Sequence, residues 1–409
     1  MKRTILAVSV SLGVLPSTAF AVDWSARSSI SETVELNDNQ FMRTSPAGTF
    51  GSYTAITANA EARTRTSKFD FDGDGTYKKY WGPGTDGLPQ TEFLNYGFKG
   101  RYEHLGKNPF DREFIEANWR QQSTALAILS DLGIATTATG FLDRLTVSGG
   151  IDRSLTYLDT INLFARSTRT SYEPSSGGIP FTDTVANGSW QHRLNPLVTL
   201  TASSEAEVLN YDNLFNSQLT ILRNTVGVNT SPSSLLSFRG NVGPVYVQTE
   251  RGVVTTNGRT LPISGAQTDW IGNAVLTYKM FNDTTLTLSA SQSIGPSIVG
   301  SLFKTNSIAA GLAYIINSRS SLSFAASGNR QISTSTTDFV SASVAYSYQL
   351  ARDWRAQVSY RYLHRFATNG TVFFDPITGT PTVSGAGPAS SNSVLLVVSR
   401  NFTVLPPGN

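Results

Sequence analysis

Residues 339–363 read FVSASVAYSYQLARDWRAQVSYRYL, and this stretch decides the fold. Apolar and small or polar side chains alternate from Val340 to Gln349, and again from Trp354 to Tyr362 after a turn at residues 350–353. Alternation with period two in two consecutive runs predicts a β-hairpin. One face is apolar with aromatic residues near the turn, and the other carries small residues, glutamine and arginine. A sheet that has lipid on one side and water on the other shows this pattern.

The same unit repeats along the chain and predicts about eighteen strands, with sixteen as the alternative count. They are expected at residues 24–35, 53–65, 68–81, 93–105, 112–123, 142–157, 160–172, 183–194, 197–211, 217–230, 235–250, 268–280, 284–294, 302–315, 320–331, 339–350, 354–366 and 392–402. A β-propeller or solenoid would show a tighter repeat and a glycine or Trp-Asp signature in each unit, which this sequence lacks. We therefore expect an all-β, antiparallel up-and-down transmembrane barrel.

The lengths of the connections alternate, which supports this topology. Short connections are expected at 66–67, 106–111, 158–159, 195–196, 231–234, 281–283, 316–319 and 351–353, and these would be periplasmic turns. The connections between them include longer stretches rich in Gly, Pro, Ser and Thr, at 37–51, 82–90, 124–141, 173–182, 251–267 and 367–391. Short inner turns and longer outer loops are typical of outer-membrane barrels.

The first residues have the features of an export signal. Lys2 and Arg3 precede an apolar core from Ile5 to Leu15, and Ala19-Phe20-Ala21 matches an A-x-A cleavage site. We expect residues 1–21 to be a cleaved signal peptide and residues 22–409 to form one barrel domain in the outer membrane of a Gram-negative bacterium. A signal anchor is the alternative, but the apolar run is short for a transmembrane helix and Pro16 ends it.

Composition narrows the possible functions. The 409 residues contain no cysteine, which excludes disulfides, thiolate metal sites and a lipid-anchored cysteine. A formal net charge of +3 does not suggest a nucleic-acid partner. Outer-membrane lipid, lipopolysaccharide and the barrel-assembly machinery are the expected partners, and no cofactor is expected.

Residues 24–33, WSARSSISET, followed by Asn37-Asp38-Asn39, resemble the first strand of a family of bacterial outer-membrane β-barrel porins. Members of that family are often associated with exopolysaccharide or PEP-CTERM protein-sorting gene clusters. This chain has Val34 where the family tends to have tyrosine. The resemblance implies an outer-membrane barrel with a role in polysaccharide passage, and polysaccharide-export components as partners.

The sequence contains few candidate residues for a metal site or a catalytic site. Asp70, Asp72 and Asp74 match the opening of a calcium loop, but the twelfth position is Trp81 instead of glutamate. The alternative is a third strand in which these aspartates face the lumen. His104, His192 and His364 have no second histidine at ligand spacing, and an odd offset places Ser189 and His192 on opposite faces of a strand. We therefore expect that the protein is not an enzyme.

The polar face of the predicted strands offers candidates for a pore lining. If the apolar partners face lipid, these charged residues point inward: Glu61, Arg63, Arg65, Glu116, Arg120, Arg166, Arg193, Glu205, Glu207, Arg223, Arg239, Lys279, Arg355 and Arg361. Arginines and carboxylates on opposite walls would set a transverse field and favour hydrated anionic or polar solutes. The alternative is that these side chains form pairs across neighbouring strands. They would then only satisfy one another's charges and hydrogen bonds in the barrel wall.

Two segments depart from the strand pattern. Residues 125–138, ALAILSDLGIATTA, would be either a short helix that constricts the lumen or a loop packed on the rim. The last predicted strand ends at Phe402, but the tail TVLPPGN follows it, and Arg400 shares the face of Phe402. The expected function is a channel for polar solutes or exopolysaccharide. The alternative is a non-conducting structural barrel that acts through its outer loops.

Overall fold

The structure of the chain is a computed structural model, which describes residues 22–409 apart from positions 87, 89, 107, 109–110, 128–139, 174–177, 213–216, 257–258, 282, 297–301, 333–335, 368–370, 375–380, 385–386 and 407–409. The predicted signal peptide therefore lies outside the described residues. Across the described ranges, no helix is long and apolar enough to cross a membrane.

Eighteen strands form one closed antiparallel barrel, in which each strand pairs with its neighbours in sequence and the last strand pairs with the first. The barrel strands are β1 (Asp23–Asn37), β2 (Thr49–Arg63), β3 (Ser67–Trp81), β4 (Glu92–Leu105), β5 (Arg112–Ser123), β6 (Phe141–Ser154), β7 (Asp159–Glu173), β8 (Phe181–Asn195), β9 (Val198–Tyr211), β10 (Gln218–Thr230), β11 (Leu236–Thr256), β12 (Arg259–Phe281), β13 (Thr284–Pro296), β14 (Leu302–Asn317), β15 (Ser320–Ile332), β16 (Thr336–Gln349), β17 (Trp354–Arg365) and β20 (Ala389–Leu405). The predicted fold class and the count of eighteen are confirmed.

Two predicted loops contain strands instead. Residues 251–256 extend β11 and residues 259–267 extend β12, because the backbone pairing continues to Thr256 and Arg259 beyond the level of the neighbouring strands. Residues 367–391 contain a small hairpin of β18 (Thr371–Phe374) and β19 (Pro381–Ser384), which forms a sheet of its own. The glycine, serine and threonine content that suggested loops is thus also compatible with paired strands.

The two ends of the barrel differ. At one end, the connections span two to six residues, as between β8 and β9 or between β16 and β17, and we call this the short-turn end. The other end carries the connection between β5 and β6, which opens with a helical turn at residues 124–127, and the segment between β17 and β20; we call it the long-loop end. A 3₁₀ helix (Pro83–Thr85) also lies at that end.

The outer surface is a band of exposed apolar side chains. Phe71, Ile115, Leu163 and Val226 are exposed there, although each belongs to a well-paired strand. Aromatic residues lie toward both edges of this band, with Trp24, Trp190 and Trp354 nearer the short-turn end and Phe50, Trp81 and Trp270 nearer the long-loop end. An apolar band between aromatic girdles is the outer surface of a transmembrane β-barrel.

The last strand closes the barrel further along the chain than predicted. β20 runs to Leu405, and its pairing with β1 contains a register shift near Ala26, where Val404 is skipped. The guanidinium of Arg400 lies 4.6 Å from the ring centroid of Phe402 and 5.3 Å from that of Trp354. The predicted common face of Arg400 and Phe402 is therefore confirmed, at the edge of the apolar band.

Candidate functional site: the barrel lumen

Alternation along each strand places one set of side chains in the lumen. Asp70, Arg101, Glu116 and Arg166 come from four strands, and the residue pairing connects them through Ser148 into one continuous inward row. The predicted inward direction follows from the same register for every candidate on a strand. Arg65 is the exception, because β2 ends at Arg63 and Arg65 lies in the turn before β3. The alternation therefore assigns no direction to the Arg65 side chain, since the backbone already turns at Thr64, whose N–H donates to the carbonyl oxygen of Ser67.

Acidic and basic side chains pair along the wall formed by β2 to β5. Lys68 Nζ lies 3.4 Å from Glu61 and 3.0 Å from Asp70, while Arg101 lies 3.3 Å from Glu116. These partners sit on adjacent strands or close along one strand, so their charges cancel locally. The predicted transverse field between opposite walls does not arise from these residues, and their cross-strand pairing matches the alternative reading.

Asp70, Asp72 and Asp74 lie in the extended backbone of β3 and not in a loop. Each is engaged by a cation, since Lys99 lies 3.2 Å from Asp72 and Arg120 lies 2.6 Å from Asp74, in addition to the Lys68 contact of Asp70. Asp72 also accepts a hydrogen bond from Asn59 at 2.6 Å. A strand spreads such side chains along about 14 Å instead of wrapping them round one ion. The aspartates thus face the lumen from a strand, as the alternative interpretation stated, and the structure adds that each forms an ion pair there.

A second charged cluster lies on the inner faces of β7 to β10. Arg166 contacts Asp183 at 2.8 Å, and Arg223 lies 2.6 Å from Glu205 and 2.5 Å from Glu207. The side chains of Glu207 and Arg223 are only 5 % and 14 % exposed. Charges this deeply buried depend on their partners, so Glu207 and Arg223 are part of the packed wall and do not serve as a freely solvated lining.

Arg223 also forms a hydrogen bond with a strand that is not adjacent to its own strand, β10. Its Nη2 donates a 2.7 Å hydrogen bond to the carbonyl oxygen of Ile294 on β13. β10 and β13 are three strands apart, or about 14 Å along the wall. The end of β13 therefore bends into the lumen to reach Arg223.

An apolar cluster lies inside the barrel beside this charged cluster and extends toward the long-loop end. Leu209, Ile221 and Val245 are fully buried, and Ile294 from the bent end of β13 packs against the same group, as does Ile271 of β12. Sequence alternation assigns a polar face to the lumen and did not indicate this cluster. Apolar residues are stable there because the inward-bent end of β13 covers them.

The first long connection also enters the lumen. Phe41 and Met42 are buried, and Phe41 packs edge-on against the inward-facing Tyr80 at 5.6 Å between ring centroids. The buried Arg365 donates hydrogen bonds to the carbonyls of Met42 (3.0 Å) and Gly387 (3.1 Å), which ties the first and last long connections to β17.

The same region holds the start of the segment 125–138. Ala125 and Leu126 pack against the cluster of Phe41, Tyr80 and Phe93 inside the barrel rim. The rest of that segment falls outside the described residues. Nearby, Arg361 lies 3.3 Å from the buried Glu35, so this predicted lining residue is paired as well.

Cations without a carboxylate partner gather at the short-turn end. At this end, six inward-facing cationic side chains are exposed, and no ion pair is found for them within the described part of the chain: Arg27, Arg63, Arg193, Arg239, Lys279 and Arg355. Arg144 on the inner face of β6 is exposed and lacks a described ion pair as well, but it lies toward the long-loop end. Each lies within five residues of the short-turn end of its strand, and they come from β1, β2, β8, β11, β12 and β17. We call this set the cationic ring. Five of its members were predicted as lining residues, and Arg27 follows from the same alternation between Trp24 and Ile30.

The wall from β13 to β16 carries small hydroxyl side chains in place of charges. Ser291 and Ser307 are 2.6 Å apart, and Ser327 and Ser341 are 2.7 Å apart, in each case between the hydroxyl oxygens of neighbouring strands. The lumen thus combines a hydroxyl wall, walls of paired charges and a cationic ring at one end.

The histidine and serine candidates do not meet. His192 Nδ1 lies 2.8 Å from Asp159 on the outer face, beside Trp190, whereas Ser189 donates to Asn162 on the lumenal side. The predicted separation of Ser189 and His192 onto opposite faces is confirmed.

No protein-family model matches the sequence, and a search of curated proteins finds no significant match. Among solved structures, OccAB2 of Acinetobacter baumannii is 10 % identical, with a TM-score of 0.47, over 93 % of this chain and 98 % of that chain. Pseudomonas aeruginosa OccK2 (OpdF) is 11 % identical, with a TM-score of 0.47 and the same coverage. The ferric-catecholate import receptor Fiu of E. coli K12 is 10 % identical, with a TM-score of 0.46, over 92 % of this chain and 81 % of that chain.

Proposed function

We propose that this protein is an outer-membrane channel that conducts polar solutes and prefers anions. The cationic ring is the observation that carries the proposal. Barrels of sixteen to eighteen strands are wide enough for an aqueous channel. Exposed charges at a pore mouth, in a low-dielectric frame, raise the local concentration of solutes of opposite sign.

In this proposal the short-turn end faces the periplasm, as in other barrels of this kind. An anionic solute or an acidic polysaccharide in the periplasm would first meet the cationic ring. Beyond it, the solute would pass the hydroxyl wall of β13 to β16, where serine and threonine hydroxyls exchange hydrogen bonds with water or sugars. Exopolysaccharide passage is the narrower form of the proposal, and the hydroxyl wall and the resemblance of the first strand support it.

Neutralising three members of the cationic ring, Arg239→Gln, Lys279→Gln and Arg355→Gln together, should weaken anion selectivity. We expect the anion-to-cation permeability ratio to fall roughly two- to tenfold at low salt, with a smaller change at high salt because ions screen the ring. The measurement is the reversal potential of the refolded mature protein in a planar bilayer under a potassium chloride gradient.

The matched control replaces two arginines at the same end that lie in turns, Arg319→Gln with Arg352→Gln. Both are exposed, and both lie outside the strands. Equal effects of the ring and turn variants would contradict a role for the lumenal position of the ring. A folded barrel that does not conduct would overturn the channel itself.

The second candidate function is a non-conducting barrel that acts through its outer connections. The packing of Phe41, Met42 and Leu126 within the rim favours it, because these residues narrow the long-loop end. Absent conductance from a correctly folded barrel would support this alternative. Neither candidate assigns a catalytic role to any residue.

A further inference from the structure

A row of polar side chains crosses the outer face of the barrel near the long-loop end. Strand pairing aligns Gln292, Asn306, Arg330 and Asp338 on four successive strands, β13 to β16. Arg330 donates two hydrogen bonds to Asp338, at 2.7 and 2.9 Å. Asn306 Oδ1 is buried and has no hydrogen-bond partner within the described residues. A buried amide oxygen is costly to leave unpaired, so rotation of the Asn306 amide toward a ligand donor in the groove would be stabilising.

The next outward row, two residues closer to the middle of the membrane band, is apolar and mostly small. It contains Ala274, Ala290, Gly328 and Val340, with Ile308 standing between Ala290 and Gly328. A groove of about 790 Å³ lies over these two rows and is flanked by Trp270 and Phe366. It therefore has a polar upper edge and a shallow apolar floor.

The upper edge of the groove coincides with a split in the barrel wall. Pairing between β12 and β13 stops at Gly272 and Gln292, although β13 continues to Pro296 and β12 starts at Arg259. Side chains replace the missing backbone partners, since Gln292 donates to the carbonyl of Trp270 at 2.5 Å and Asp269 accepts from the N–H of Trp270 at 2.8 Å. The split leaves Trp270 standing out from the wall, 62 % exposed.

We propose that this groove binds a glycolipid of the surrounding membrane, with its sugar on the polar row and its acyl chains on the apolar floor. Asn306, Gln292 and the Arg330–Asp338 pair offer both donors and acceptors, which suits sugar hydroxyls. The cations here are already neutralised, because Arg330 pairs with Asp338 and Lys304 lies 2.7 Å from Asp269. The groove therefore has no spare positive charge for a phosphate headgroup. The inference requires that the barrel lie in a membrane, but it does not require conduction.

The test places a larger side chain on the apolar floor of the groove and leaves the strand pairing of the barrel wall intact. A Cβ atom at Gly328 would meet no atom within 4 Å other than those of its chain neighbours, so Gly328→Leu should fold normally and occupy the place of an acyl chain. Gly100→Leu is the matched control, because Gly100 has the same open surroundings and the register with Phe71 and Ala117 places it on the outer face of β4.

The probe is diglucosyl diacylglycerol, titrated against the full mature barrel in detergent micelles and followed by native mass spectrometry, with phosphatidylglycerol as the comparison lipid. We expect the wild type and Gly100→Leu to bind the glycolipid alike, and Gly328→Leu to bind it at least about tenfold more weakly. Asn306→Leu, which removes the amide, should weaken glycolipid binding but not phosphatidylglycerol binding.

Two results would overturn the proposal. One is equal glycolipid binding by Gly328→Leu and Gly100→Leu in barrels that both keep their heat-modifiable migration. The other is equal affinity of the wild type for phosphatidylglycerol and glycolipid, which would show general lipid contact. Either result leaves the conductance experiment, and hence the proposed channel, unaffected.

Discussion

Arg223→Met is expected to destabilise the barrel by about 3–5 kcal/mol, the cost of removing one partner from a buried ion pair. The substitution leaves Glu205 and the buried Glu207 without their cation, and it removes the hydrogen bond to the carbonyl of Ile294. The free energy of unfolding would be measured by urea titration of the protein folded in lipid vesicles.

The control for this prediction is Arg239→Met, on the neighbouring strand β11. Arg239 is exposed in the lumen and belongs to the cationic ring, so its loss should change the free energy of unfolding by less than about 0.5 kcal/mol. Adding Glu207→Gln to Arg223→Met should recover part of the loss, since the double variant no longer buries an uncompensated carboxylate. Equal stability of Arg223→Met and the wild type would contradict the role given to the buried cluster.

Ile56→Arg should lower the free energy of unfolding in lipid vesicles by about 2–4 kcal/mol, which is the cost of an arginine on the lipid face at the middle of the membrane. Ile56 is the central residue of β2, and it is 53 % exposed on the outer face. Its neighbour Thr57 points into the lumen, where its hydroxyl lies 2.7 Å from that of Ser29.

Thr57→Arg is therefore the matched control, with the same new side chain one residue along the same strand. It should cost much less, because the guanidinium would enter the aqueous lumen and not lipid. Similar costs for the two variants would show that the barrel does not lie in a bilayer, and a larger cost for Thr57→Arg would show that the inner and outer faces are exchanged. Unfolding would again be followed by urea titration in vesicles.

Local alternation was sufficient to predict the strands. Each hairpin, such as residues 339–363, carries its own pattern of apolar and polar side chains, and every predicted strand overlaps one observed barrel strand. The pairing of sequence neighbours in an up-and-down barrel explains this success, because no long-range choice of partner is needed except between β20 and β1. The predictions for residues 251–267 and 367–391 were incomplete, because the same small polar residues occur both in loops and in paired strands.

Alternation also predicted which side chains face the lumen. It did not predict which residues those side chains contact. Glu61 and Lys68 pair because a turn brings β2 and β3 together, whereas Arg223 reaches Ile294 only because the end of β13 leaves the wall. The cationic ring could not be recognised as a group from sequence, because Arg27 and Arg355 are far apart in the chain and share one end of the barrel only after it closes.

The sequence by itself determined the all-β class, the number of strands and the face of each strand, since these depend on side chains one and two residues apart. Only the tertiary structure decided which charges are cancelled and which stay exposed. It also decided where apolar side chains enter the lumen and where the β12–β13 wall splits. These features depend on the register between strands and on the inward folding of the connections, both of which are set by contacts between distant parts of the chain.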